Sequence, residues 1–303
     1  LSEETVTIKI VISDDETEIN LRAAEYSSRG PSYSGVQKPD VIAPGTSIFS
    51  SDSEFVSESG GTSNAAAYVT GIAALLYEYF ERGFYPTGQE TPANSFTPTS
   101  DLIRAMIISS ADPIPFDTSY TNGKRQRSLT RTPDSESGYG LVNLGNIIDF
   151  QPHMKVFTNI KIGSEQHFYT KFKVDLSDTV DLDLRIAFAC HDTASTNEIV
   201  ALSSDVDIYL KLPNNTIIYG NHHPEDFEDR LSTVERILIY NEELRELNMK
   251  YGNTYELHFM TNTQISTLNH NGILSLAISG PFLNPDLNSN NATTLRKASE
   301  FPE

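Results

Sequence analysis

Ser59-Gly60-Gly61-Thr62-Ser63-Asn64-Ala65-Ala66-Ala67-Tyr68-Val69-Thr70-Gly71 is the stretch on which the reading of this chain turns. Two glycines lead to a threonine and a serine, and a run of small residues follows. Ala65, Ala66, Val69, Ile72, Ala73 and Leu76 recur at spacings of three and four, which predicts a helix over 60–80 with Ser63 near its start. The glycines permit a tight entry into that helix, and its exposed amides and dipole favour negative charge beside Ser63. An acyl group attacked by the Ser63 hydroxyl would develop its oxyanion there, within reach of the Ser63 backbone N–H. Gly-Thr-Ser at a helix start also serves as a plain cap. This stretch alone leaves both readings open.

Upstream stand Ala24-Glu25-Tyr26-Ser27-Ser28-Arg29-Gly30-Pro31 and Lys38-Pro39-Asp40-Val41-Ile42-Ala43-Pro44-Gly45. Downstream stand Ser109-Ser110-Ala111 and Gly138-Tyr139-Gly140-Leu141-Val142-Asn143. In order and spacing these segments, with the serine stretch, resemble the carboxyl-terminal half of the catalytic domain of subtilisin-like serine proteases, the subtilases, over residues 21–148. The resemblance implies a parallel-sheet α/β fold and peptide hydrolysis through an acyl-enzyme. It implies that Ser63 is the nucleophile, that Thr62 supports the oxyanion site, and that the segment from Lys38 to Gly45 is structural. In such a site a histidine takes the serine proton and returns it to the leaving amine while an aspartate orients the histidine. The chemistry requires no cofactor.

The chain departs from the family pattern in two ways. Asn64, Ala67 and Tyr68 stand where the family has Met, Pro and a non-catalytic His. The family order is also Asp, His, oxyanion Asn and then Ser, whereas no histidine here precedes His153, and Asp14 and Asp15 lie in a polar stretch unlike the family's aspartate segment. The expectation is that Asp, His and the oxyanion Asn come from an N-terminal part of the same domain, and that this chain alone is inactive. Its alternative is a catalytically inactive scaffold that binds protein or glycan. The first residue is Leu1, and 1–4 do not form a signal peptide, so the natural product is expected to begin earlier. His153, His167, His191, His222, His223, His258 and His270 read as surface or strand histidines, and His222-His223 with Glu225, Asp226, Glu228 and Asp229 as an acidic hairpin loop.

A second helix is predicted over 99–111, with Ser100 as its cap and Leu102, Ile103, Met106 and Ile107 on one face. Extended segments are expected at 6–12 and 40–43. From about Gln151 the period changes to two. Phe168, Thr170, Phe172 and Val174 alternate with Tyr169, Lys171 and Lys173, and the same pattern recurs at Leu182, Leu184, Ile186 and Phe188 and at Val206, Ile208, Leu210 and Leu212. Further strands are expected at 216–219, 234–240, 254–260 and 272–279, with turns at Pro213-Asn214-Asn215 and Tyr251-Gly252-Asn253. Glu242 to Met249 carries a short-helix reading beside the strand series.

The fold class is therefore α/β followed by an all-β jelly roll or sandwich. The division runs 1–150 for the peptidase part, 151–281 for the β-domain and 282–303 for a polar, disordered tail. Residues 112–137, with Lys124, Arg125, Arg127 and Arg131, read as a solvated loop or a processing site. Ser204-Asp205-Val206-Asp207-Ile208-Tyr209-Leu210 with Pro213-Asn214-Asn215-Thr216 resembles the β-barrel that follows the catalytic domain in some subtilases. That resemblance implies a possible structural Ca2+ with Asp205 and Asp207 as ligands; the bland reading is a solvent-facing pair at a strand edge.

Over 303 residues the net charge is −19, from 22 basic and 41 acidic side chains. Such a chain is repelled by nucleic acid; protein or peptide substrates are the partners that the family resemblance implies. The single cysteine, Cys190, excludes an intrachain disulfide. No apolar run is long enough for a membrane span. The family resemblance suggests secretion or a vesicular route, with which the sequons at Asn214 and Asn291 are compatible.

Overall fold

The computed structural model of the chain describes residues 23–33, 35–52, 55–114, 120–121, 124–125, 133–162, 167–175, 181–191, 205–222, 232–261, 272–281 and 296–297. The expected strand at 6–12, Asp14, Asp15, His223, His270, the acidic residues after His223 and most of the tail lie outside them.

Residues 23–47 run as irregular chain and lead into an antiparallel hairpin, β1 (Ile48–Asp52) and β2 (Phe55–Ser59). The hairpin delivers the chain to α1 (Thr62–Glu81). In its second half α1 buries Ile72, Leu76, Tyr79 and Phe80, one stripe at helical spacing, against Tyr85, Phe84 and Phe96. Its first half is open, with Ala66, Ala67, Tyr68 and Thr70 exposed.

The second helix, α2 (Ser100–Ser110), is capped by Thr99, whose hydroxyl accepts from Leu102 N at 3.3 Å. This corrects the expected cap at Ser100. Thr99 has the extended backbone that a cap needs, whereas Ser100 is already the first helical residue. Leu102, Ile103, Ala105, Met106 and Ile108 are all buried, so α2 is a core helix, packed on α1 and on the sheet that follows. Two short strands, β3 (Tyr120–Thr121) and β4 (Lys124–Arg125), form a small hairpin in the connector.

The remaining strands are β5 (Met154–Ile162), β6 (His167–Lys173), β7 (Leu184–His191), β8 (Val206–Lys211), β9 (Ile217–Tyr219), β10 (Val234–Ile239), β11 (Thr254–Thr261), β12 (Gly272–Ser279) and β13 (Arg296–Lys297). Between β10 and β11 the chain forms α3 (Asn241–Tyr251), which settles Glu242 to Met249 as helix. The strands make two antiparallel sheets, β10-β7-β12-β5 and β13-β6-β11-β8-β9. Leu184, Ile186 and Phe188 of β7 and Leu274, Leu276 and Ile278 of β12 meet Ile208, Leu210, Leu257 and Phe259 of the other sheet in one core.

The opposite face of the first sheet carries Ala187, Ala189 and Ala277, whose small side chains let α2 pack closely. The core around α1 and α2 therefore runs across the expected boundary near residue 150. The parallel sheet expected for the first part is not among the described residues. Every sheet there is antiparallel, and the one parallel pairing is an isolated bridge between Ile42 and Leu141. Only β8 and β9 are joined as a hairpin within the two large sheets; their other neighbours are non-consecutive strands paired antiparallel by longer connections.

Candidate active site

The site begins where β2 hands over to α1. Gly61 occupies the helix N-cap with φ 147°, a region open essentially to glycine, and no side chain caps the helix. The capping role open to Thr62 and Ser63 is thus not used. Both are exposed in the first turn, where backbone N–H groups lack intrahelical acceptors and no acidic side chain offsets the positive end.

The turn at Pro44-Gly45 abuts this entry. Gly61 N donates to Gly45 O at 2.7 Å. A Cβ on Gly45 would fall 2.9 Å from Gly61 O and 3.2 Å from the Ala65 Cβ, so only glycine allows the approach. The Tyr26 hydroxyl donates to Gly45 O at 3.1 Å and meets Thr46 Oγ1 at 2.6 Å, fixing the same turn from outside. The segment from Lys38 to Gly45 thus positions the start of α1.

Beside it lies a cavity of about 860 Å³, lined by Tyr26, Pro44, Thr62, Ala66, Ile103 and Ile107 among others. Its ionised walls are Asp40 and Arg104; Asp40 accepts from Arg104 Nη2 at 2.8 Å and from Lys38. Arg104 also donates to Thr233 Oγ1 at 2.9 Å, a residue next to β10. Burial pushes the Asp40 carboxyl up, but the hydrogen bonds from Arg104 and Lys38 outweigh it and hold the group below its ordinary value. A carboxylate so committed is a poor proton acceptor for a serine.

Among the described residues lining the cavity there is no histidine. His153 does pair with Asp149 at 2.5 Å, the residue types of a base and its orienter. That pair lies at the wrong end of α1. Phe150, next to Asp149, touches the ring of Tyr79, which is about 24 Å from Ser63 along the helix at 1.5 Å per residue. His167, His191 and His258 belong to the two sheets.

Asp205 and Asp207 are not a solvent-facing pair. They are 3% and 2% exposed, and Asp207 lies on β8, an interior strand of its sheet between β11 and β9. Calcium takes six to eight oxygen ligands. Among the described residues no group of three or more His, Cys, Asp or Glu is placed to hold a metal ion.

The sequence profile of the subtilase family matches residues 5–140, the stretch that contains the hairpin, α1, the cavity and α2. That part of the chain is similar to the subtilase family. Its relatives include the serine protease/ABC transporter B family protein tagD of Dictyostelium discoideum, 34% identical over 130 residues, 37% of this chain and 7% of that protein. Pyrolysin of Pyrococcus furiosus is 29% identical over 171 residues, 54% of this chain and 10% of that protein. The subtilisin-like protease SBT2.3 of Arabidopsis thaliana is 34% identical over 142 residues, 41% of this chain and 16% of that protein. The chain thus spans a sixth or less of the length of these curated relatives. No helix among the described residues is long and apolar enough to cross a membrane.

Reading the sequence alone missed Tyr26 and Arg104 as supports of the site. Tyr26 sits inside a quoted segment, but its contact with Gly45 spans 19 residues of irregular chain. Arg104 stands 64 residues after Asp40, and only the fold brings the two together.

Proposed function

We propose that this chain is part of a subtilisin-type serine endopeptidase in which Ser63 forms the acyl-enzyme. The observation that carries the proposal is the exposed Ser63 in the first turn of an uncapped helix, held by the Gly45–Gly61 contact beside an open cavity. In this reading the Ser63 hydroxyl attacks the scissile carbonyl carbon. The oxygen of the tetrahedral intermediate takes up the negative charge, and first-turn amides, with Thr62 alongside, stabilise it. The serine proton passes to a histidine, which delivers it to the leaving amine.

That histidine, its aspartate and the oxyanion asparagine are supplied by a segment of the same catalytic domain outside this sequence. Support comes from the absence of any histidine before His153 and from the 24 Å or so that separate Ser63 from the Asp149–His153 end of α1. The two stacked sheets act as a β-sandwich of jelly-roll type buttressing α2. Peptides or proteins are the substrate class.

The test is peptidase activity of the isolated 303-residue chain. No turnover above background is expected. Turnover that disappears in Ser63→Ala would show a base within this chain and overturn that part of the proposal.

A further inference from the structure

On the outer face of the five-stranded sheet, four rings stand in one register row: Tyr169 on β6, His258 on β11, Tyr209 on β8 and Tyr219 on β9. His258 lies flat between two of them. Its ring centroid is 5.3 Å from Tyr169 and 4.4 Å from Tyr209, with the planes within 19° and 8° of parallel. His167, half-buried on β6, closes the cluster. Its Nε2 is 2.9 Å from His258 Nδ1, and the Tyr209 hydroxyl is 3.3 Å from the same His167 nitrogen. The far nitrogen of His258, Nε2, is buried without a hydrogen-bond partner, with Glu256 Oε2 3.5 Å away.

Two facing imidazole nitrogens 2.9 Å apart hold one hydrogen between them. With both rings neutral, one nitrogen donates and the other accepts. One added proton leaves that arrangement intact, because a charged ring donates to a neutral one. A second puts a hydrogen on each facing nitrogen, and two like charges, inside hydrogen-bond distance. The contact then has to open.

We propose that the His167–His258 pair is a proton-operated latch that clamps β6 onto β11 and releases it when both rings are charged. The surroundings set where this happens. Glu256, 3.5 Å from His258 Nε2, favours a charged ring, but it is shared with Lys171 at 2.6 Å and Lys211 at 3.7 Å, and burial and His167 outweigh it. Asp207 lies on β8 opposite Met260, which is paired with His167, and Arg296 of β13 lies opposite Tyr169. Tyr209 is held neutral, its hydroxyl raised by burial. Burial and the neighbouring His167 push His258 down to about 4, and burial lowers His167 as well. The strand released is the one on which β13 pairs, so opening would free that end of the sheet.

The test is a titration of the histidine ring signals of the protein by NMR from pH 7.5 to 2.5, with hydrogen exchange of the β6 amides followed in parallel and corrected for the intrinsic pH dependence. The expected result is that His167 and His258 titrate in two coupled steps, both below the ordinary value of 6.5. Protection of β6 should fall about tenfold or more with the second step only. His167→Gln replaces a half-buried ring by a neutral partner and should abolish that step while leaving β6 protected at the pH where the wild-type sheet opens. Independent titration of both rings near 6.5, or β6 protection unchanged through both steps, would overturn the proposal. So would an acid step in β6 that persists in His167→Gln. Should His167→Gln not fold, the wild-type titration decides alone.

Discussion

Arg236, on β10, donates from Nη1 to the carbonyl of Ala111 at 2.8 Å and to that of Ile108 at 3.3 Å, at the C-terminal end of α2. Arg185, on β7, reaches Ser109 O and Ala111 O from beside it, and its other terminal nitrogen bridges Asp112 and Asp183. The last carbonyls of a helix have no intrahelical donors and carry partial negative charge, which two guanidinium groups satisfy here. Burial pushes Arg236 down to about 10, still charged at neutral pH. The helices of the subtilase segment and the sheets behind them are therefore joined by buried, charge-assisted bonds.

Removing that charge has a definite cost. Arg236→Met keeps much of the volume but leaves buried carbonyls unsatisfied, and should lower stability by about 2–4 kcal/mol. Urea unfolding followed by tyrosine fluorescence and by circular dichroism should shift as one transition. Two separated transitions, or no shift, would show that helices and sheets are not coupled through this contact.

Gly61→Ala tests the entry to α1. A φ of 147° strains any residue with a Cβ by about 1–3 kcal/mol. Relief of that strain moves the first turn, and with it Ser63. In a protein whose serine is reactive, the rate at which Ser63 is modified should fall by about 10–100-fold, more than the loss of folded protein accounts for. An unchanged rate would mean that the turn geometry does not control the serine.

Asp40 gives a pH dependence of known sign. Its carboxyl is held below 3.8 in the fold, so the unfolded chain binds the proton more readily. The stability that ionised Asp40 contributes is therefore fully present above about pH 3.8 and is lost as pH falls through the lower folded value. Asp40→Asn should destabilise the protein by about 1 kcal/mol at pH 7, and the gap to wild type should close toward pH 2–3. Urea midpoints of both proteins across that range check it, and a gap independent of pH would contradict it.

The helices α1 and α2 were legible because their apolar stripes repeat at helical spacing, β6, β7 and β8 because apolar residues alternate along them, and four further strands as short runs between turns. β5 was not. Asn159 takes a left-handed backbone, and the pairing with β12 shifts register between Leu274 and Leu276, so the apolar residues of β5 fall out of step. The β1–β2 hairpin was also silent. Phe49 and Val56 are 69% and 73% exposed, and a hairpin that buries neither face has no pattern to show. Asn215, standing where the related pattern has Gly, adopts φ 66° and keeps the turn after β8, since asparagine tolerates that region.

Ser63 was readable from the glycines ahead of it. The buried state of Asp205 and Asp207 was not, because the alternation of β8 says which residues share a face but not whether the other face is covered. Nor was the His167–His258 contact, which depends on the register between strands 91 residues apart.

The most direct test of the account is covalent labelling of the natural protein with a fluorophosphonate probe, locating the modified residue by peptide mass spectrometry. An adduct on Ser63 that is lost in Ser63→Ala is the predicted result, and it would mean that a working base and oxyanion site meet this serine. A folded protein that gives no adduct, or one that labels elsewhere and is indifferent to Ser63→Ala, would contradict the catalytic reading and leave a scaffold that binds without cutting.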